Sequence, residues 1–127
     1  MDKPLREEQK IEAEAKFVCC MCGKEACHIL LLRTASGIEL SRRSFTSTMG
    51  GGPALKKEEH EKLRAAMDRQ DAGELFRIDF ELAPFYCPEC NACYCGDHWH
   101  RWDVFDEGWH DSIRGRCPQG HERMLED

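Results

Sequence analysis

Cysteine and histidine fall in this chain as four pairs at ligand spacing: Cys19/Cys22, Cys87/Cys90, Cys95/His98 and Cys117/His121. Two cysteines two residues apart can both face one ion, because a tight turn points both sulfurs inward while backbone amides stabilise the thiolate charge. Such turns want a residue that tolerates positive φ just after the second cysteine. Gly23 follows Cys22, Asn91 follows Cys90, and Gly120 lets the chain fold back before His121. Eight ligands fill two tetrahedral sites completely. One C-x2-C pair is common by chance, but four paired elements in one short chain are not. The expectation is two structural zinc ions per chain, held by Cys19, Cys22, Cys87, Cys90, Cys95, His98, Cys117 and His121.

The rest of the composition agrees. The start, "MDKPLREEQK", is charged and lacks a hydrophobic region, and no apolar run approaches the ~18 residues of a membrane span. That predicts a cytoplasmic protein with no membrane partner, in a compartment where thiols stay reduced. Nine cysteines, an odd number, then point to metal rather than to disulfides. The formal charge is −6. Six thiolates on two Zn²⁺ ions would make it about −8. Such a surface disfavours non-specific nucleic-acid binding, although a local basic patch could override it.

A length of 127 residues fits one domain, at most with a small appendage. Residues 1–18 read as an N-terminal charged segment, with "PLREEQKIEAEAK" (4–16) as a short helix carrying Pro4 near its first turn. Residues 19–127 then form the zinc-stabilised domain. "HILLLRT" and "IELSRRSF" read as a hairpin turning at Gly37. "TSTMGGGP" reads as a flexible glycine-rich loop near 46–53, and Pro53 opens a helix over about 54–70 with Gly73 beyond its end. "ELFRIDFEL" alternates Phe76, Ile78, Phe80 and Leu82 with charged residues and reads as a strand. "DVFDEGWHDSIRGRCPQGH" reads as a hairpin turning near Glu107-Gly108. The fold class is a small α+β zinc-binding domain of short β-hairpins and zinc knuckles with one or two helices.

The pairs can combine in two ways. In one, Cys19/Cys22 join Cys95/His98, and Cys87/Cys90 join Cys117/His121. In the other, Cys19/Cys22 join Cys87/Cys90, leaving Cys95/His98 with Cys117/His121. The first is preferred, and both remain open. A weak echo, C-x2-C-x4-C at Cys19/Cys22/Cys27 and at Cys87/Cys90/Cys95, is compatible with two similar knuckles. Alternating ligand pairs with the compact middle "CPECNACYCGDH" resemble the cross-brace, treble-clef-like zinc fingers, RING-type and FYVE-type domains among them. That resemblance covers the ligand pairs and not the insertion from Lys24 to Tyr86. It implies protein recognition, with ubiquitin-pathway enzymes as one possible class of partner.

Cys20, Cys27 and Cys93 read as buried spacers, although Cys27, His28, Cys93 or His100 could replace a nominated ligand. His100 and His110 lie beside Trp99, Trp102 and Trp109, which read as aromatic caps on a small metal core or, alternatively, as a peptide-binding patch. Catalytic signatures fail. "HEKLR" at His60-Glu61 has Arg64 where H-E-x-x-H needs its second histidine, and Tyr86 replaces the proline of a zinc-deaminase P-C-x-x-C. Catalytic zinc keeps an open position, and four complete pairs leave none. The expected function is a non-catalytic zinc-stabilised protein-interaction module or adaptor subunit. Two alternatives stand beside it: a nucleic-acid-binding protein with an arginine face from Arg33, Arg42, Arg43, Arg114, Arg116 and Arg123, and a RING-like ligase scaffold.

Overall fold

The computed structural model describes residues 10–35, 37–45, 57–126 and the backbone of 48–50. Its first half is an antiparallel meander of four strands, β1 (Lys10–Val18), β2 (Glu25–Thr34), β3 (Gly37–Ser44) and β4 (Thr48–Gly50), in that spatial order. The β2–β3 hairpin lies where the sequence placed it, with Thr34 opposite Gly37 at the turn.

Strand β1 replaces the expected N-terminal helix, of which residues 1–9 lie outside the described residues. Alanine, glutamate and lysine favour helix, but "AEAKF" also alternates. Ala13, Ala15 and Phe17 point into the core while Glu14 and Lys16 face out. Pairing with β2, from Lys10 opposite Arg33 to Val18 opposite Glu25, outweighs a propensity difference of a few tenths of a kcal/mol per residue. Ala26, Ile29 and Leu31 of β2 complete this side of the core.

Helix α1 (Lys57–Asp68) buries Leu63, Ala66 and Met67, one helical stripe, and packs on β1. The start of the expected 54–70 helix, residues 54–56, lies outside the described residues, as do 46–47 and 51–53 of the expected loop. Within that loop Thr48–Gly50 is strand, paired with Ser41–Arg43. Helix α1 ends in a Schellman motif: Gln70 takes a φ of 51°, Asp71 N–H donates to Ala66 O (2.9 Å) and Gln70 N–H to Met67 O (3.0 Å). The expected strand at 74–82 is instead helix α2 (Ala72–Ile78) followed by a 3₁₀ turn (Phe80–Leu82). Caps decide this. Asp71 Oδ1 accepts from Glu74 N–H at 3.0 Å and Asp79 Oδ1 accepts from Glu81 N–H at 3.0 Å, so each helical turn is initiated locally. The alternating aromatics Phe76 and Phe80 stay half-buried, whereas Leu75 and Leu82, seven residues apart, are fully enclosed. Gly73 therefore sits inside α2, where Tyr86 Oη comes within 3.0 Å of the position a Cβ would take.

Two small sheets follow. Strands β5 (Tyr86–Cys87) and β6 (Ala92–Cys93) frame a knuckle, and β7 (His100–Asp106), β8 (Trp109–Arg116) and β9 (Glu122–Glu126) form an antiparallel sheet in sequence order. The β7–β8 turn falls at Glu107-Gly108, both with positive φ (51° and 87°), the primed geometry that matches strand twist. Phe17 stacks on Phe85 at 5.0 Å and joins the large sheet to the knuckle. Arg123 of β9 binds the same segment from the other side. Its guanidinium donates to Ala83 O (2.7 Å), Tyr86 O (2.7 Å) and Phe80 O (3.1 Å) and lies over Phe76 at 5.0 Å. Burial lowers its pKa to about 10. Arg123→Ala leaves those carbonyls without their donor and is expected to cost about 2–3 kcal/mol in chemical denaturation. Arg116→Ala, which removes an exposed pair with Glu122, is expected to cost under about 1 kcal/mol.

Gly115 of β8 is required by packing. A Cβ there would stand 2.7 Å from Leu125 Cδ1 and 3.1 Å from Trp99 Cε3, both on buried side chains. Gly115→Ala is expected to destabilise by about 1–3 kcal/mol, measured by urea unfolding of the metal-loaded protein. An unchanged midpoint would show that this contact relaxes freely.

Candidate metal centres

The eight nominated side chains converge as two clusters of three cysteines and one histidine. In each, the ligand atoms lie within 4.8 Å of one another. Cys19, Cys22, Cys95 and His98 form the first, and Cys87, Cys90, Cys117 and His121 the second. The pairs therefore interleave, first with third and second with fourth, as in the cross-brace arrangement.

Each pair is shaped by its own short turn. Cys19 and Cys22 close the link between β1 and β2. Gly23 takes a φ of 80° there and donates to Cys19 O at 2.9 Å, and Met21 N–H points at Cys19 Sγ at 3.4 Å. The Cys87/Cys90 turn repeats the form: Cys90 N–H lies 3.4 Å from Cys87 Sγ, and Asn91 carries the positive φ of 53°. Tyr86 Oη donates to Asn91 Oδ1 at 2.6 Å and holds that turn shut. His98 N–H bonds Cys95 O, and Gly120 N–H bonds Cys117 O, both at 2.9 Å. Both histidines present Nδ1. In the first cluster Nδ1 is 3.4 Å from Cys19 Sγ and 3.3 Å from Cys95 Sγ, with Cys22 and Cys95 sulfurs 3.5 Å apart. In the second, Nδ1 is 3.6, 3.3 and 3.5 Å from Cys87, Cys90 and Cys117, and the Cys90 and Cys117 sulfurs are 3.7 Å apart.

The thiols are not equivalent. Burial pushes Cys19 up, but amides of Cys95, Met21 and Cys22 outweigh it and bring the thiol down to about 6. Cys117 likewise resists burial through amides of His121 and Gln119 and settles at about 7. Burial pushes Cys87 up to about 11 and also raises Cys95. Each cluster thus offers one sulfur that ionises near neutral pH and can engage a cation first. The knuckles are also clasped to each other. Cys20 N–H donates to Cys93 O at 2.9 Å, and Lys24 Nζ meets Asp97 Oδ2 at 2.6 Å, which lowers the carboxyl pKa and raises that of the amine.

The remaining candidates lie elsewhere. Cys27 is enclosed on β2, and burial lifts its thiol to about 12. The C-x2-C-x4-C echo therefore joins unlike positions, since Cys27 is core and Cys95 lies in the first cluster. His28 pairs with Glu14 at 2.5 Å, outside both clusters. Cys93 is half-buried and its thiol raised to about 12 by burial, whereas Cys20 is exposed rather than the buried spacer the sequence suggested. Of the three tryptophans, Trp99 is enclosed, with Nε1–H donating to Phe85 O at 3.2 Å and Tyr94 edge-on at 6.2 Å. Trp102 is half-buried, and Trp109 stands in solvent rather than capping a metal core.

The six arginines differ in what they do. Arg33 pairs with Glu12 at 2.7 Å and Arg116 with Glu122 at 2.6 Å. Arg42 is fully buried, 3.8 Å from Glu126, and Arg123 is spent on backbone carbonyls. Arg43 is exposed on β3, and Arg114 is half-buried on β8. The sequence reading passed over Arg123 as a structural tie and Phe105 as an exposed aromatic. The second could have been found from "DVFDEGWHD", where two aromatics flank a turn rich in carboxylates.

A small domain of mostly antiparallel strands with two helices and two clusters that could hold metal ions is the class that this geometry defines. The chain belongs to the family described as Domain of unknown function (DUF8328), whose model matches residues 9–127. No curated protein matches the chain, and no solved structure does.

Cys90→Ser or Cys117→Ser is expected to remove one of two bound metals and several kcal/mol of stability, against about 10–16 kcal/mol of apparent binding energy for a structural site in small peptides. Cys20→Ser is expected to change stability by less than about 0.5 kcal/mol. Metal content with thermal unfolding checks both, and equal behaviour of the three variants would reject the ligand set. Protons compete with metal for these sulfurs, so acid releases metal. In each cluster the thiol that burial raises, Cys95 in the first and Cys87 in the second, is expected to recapture a proton early as the pH falls. The His98 and His121 ring resonances report the two events separately.

Proposed function

We propose that this protein is a zinc-stabilised, non-catalytic protein-interaction module or adaptor, with two structural zinc ions of four protein ligands each. The observation that carries the reading is the completeness of the two clusters. Zn²⁺ with bonds of about 2.3 Å to sulfur and about 2.0 Å to nitrogen sets tetrahedral edges of about 3.8 Å and about 3.5 Å. The sulfur–sulfur separations of 3.5 and 3.7 Å, and sulfur–nitrogen separations of 3.3–3.6 Å, fit those edges. A four-ligand zinc keeps no position for water or substrate, which supports a structural role. Unbridged thiols in both clusters suit a reducing, cytoplasmic setting.

The interleaved pairs support the resemblance to cross-brace zinc fingers at the level of ligand connectivity. The insertion between the first two pairs carries β2, β3, β4 and both helices, and there the likeness stops. Protein recognition is favoured over nucleic-acid recognition because four of the six candidate arginines are engaged within the chain. The β7–β8 hairpin is the presenting element, since Phe105 and Trp109 are the two most exposed of the large hydrophobic side chains.

Native mass spectrometry with elemental analysis tests the metal half: two zinc ions per chain, lost only with unfolding, are expected. One exchangeable zinc in a folded chain would instead indicate an open site and return catalysis. Cross-linking of the full chain in its host cell extract tests the other half. Trp109→Ala should retain both metals and lose the specific partner, and retention of every partner would remove the hairpin from the reading.

A further inference from the structure

The β7–β8 hairpin divides its charge along its length. Its base carries His100, Arg101, Arg114 and Arg116, with Arg116 over the Trp102 ring at 5.8 Å. Its outer end, residues 103–111, carries Asp103, Asp106, Glu107 and Asp111 and no lysine or arginine. Trp109 is 79% exposed and Phe105 64% exposed in that same stretch. Trp109 sits opposite the carboxylate of Asp106, whereas Phe105 sits opposite His110, edge-on at 5.5 Å, and His110 Nε2 in turn meets Asp103 Oδ1 at 3.0 Å. Among the described residues Trp109 makes no ring-stacking or cation–π contact. Strand β7 is also the edge of its sheet. Its base is covered by Phe45, whose carbonyl accepts from Arg101 at 2.9 Å, and among the described residues no strand pairs with its free side.

Exposed rings set among carboxylates fit one chemistry. The π-face attracts a cation, the carboxylates lengthen that attraction and repel anions, and an open strand edge accepts an extended backbone. Carboxylates flanking the rings also disfavour a second copy of this hairpin and a nucleic-acid backbone. Resting on the interaction-module reading above, we infer that the outer half of the hairpin, Asp103 to Asp111, docks a basic, extended segment of a partner protein. Its lysine or arginine side chains lie over Trp109 and Phe105 while its backbone runs along the free edge of β7. The acidic end selects the partner's charge, and the rings supply the contact area.

The test uses the full, metal-loaded chain labelled with ¹⁵N and a capped octapeptide of alternating lysine and valine as the probe, with a glutamate–valine octapeptide and a single-stranded oligonucleotide alongside. The lysine peptide should shift amide resonances of residues 103–111 and spare both metal turns. Its binding should weaken at least about tenfold in Trp109→Ala. It should weaken similarly in Asp106→Asn/Asp111→Asn and fall as salt is raised. The acidic peptide and the oligonucleotide should leave the hairpin unshifted. Shifts confined to other surfaces, binding unchanged by these substitutions, or equal binding of the acidic peptide or the oligonucleotide at the hairpin would overturn the inference. Should the lysine peptide leave the hairpin untouched while partner capture still depends on Trp109, the basic-segment assignment falls and the module stands. Loss of both would sink the module as well.

Discussion

The meeting of Cys22 and Cys95, 73 residues apart in sequence with their sulfurs 3.5 Å apart, is the constraint around which this molecule is arranged. Closing so long a loop costs little more entropy than closing a short one, since the cost grows only with the logarithm of length. Everything from β2 to β6 lies inside that loop. The second cluster closes another, with Cys90 and Cys117 at 27 residues, and the two overlap because Cys95 and His98 fall between Cys90 and Cys117. Neither can open without loosening an element of the other. The apolar core alone is modest, with alanines and cysteines among its enclosed residues, so the ions would carry a large share of the stability of a domain this size.

Ligand spacing was the most legible feature in the chain because it is set within four or five residues. A turn that brings Cys19 and Cys22 together is local, and Gly23 and Asn91 announce it. Which pair meets which is not local, and spacing alone left two schemes open. The choice depends on the Phe17–Phe85 stack and the Cys20–Cys93 backbone bond, contacts between segments that share no sequence signal. Two of the secondary-structure misreadings have the same origin. Residues 10–18 carry helix-forming side chains in a strand pattern, and only β2, with its run of leucines, decides between them. At 74–82 the alternation of aromatics suggested a strand, while Asp71 and Asp79 supplied caps that favoured two short helical turns.

Arg123 shows how a sequence reading of charge can mislead. It lies near Arg114 and Arg116 in the chain, and a basic face was a fair expectation. In the fold it turns inward to three carbonyls of the segment that leads into Cys87, where burial pulls its pKa down without removing its charge at neutral pH. It fixes the entry to Cys87, a candidate metal ligand, in a way that a lysine with a single point charge could not reproduce.

The hairpin gains its rigidity from the same clusters. His98 precedes β7 by one residue and belongs to the first cluster, whereas Cys117 directly follows β8 and belongs to the second. One foot of the hairpin thus stands on each centre. Between the feet, Trp99 and Gly115 interlock, and Leu125 of β9 closes over them. A two-stranded ribbon is marginal alone in water. Anchored at both feet and backed by β9, it can hold Phe105 and Trp109 away from the body without collapsing onto it. Metal held in either cluster would therefore brace the aromatic end from a place that the end itself does not touch.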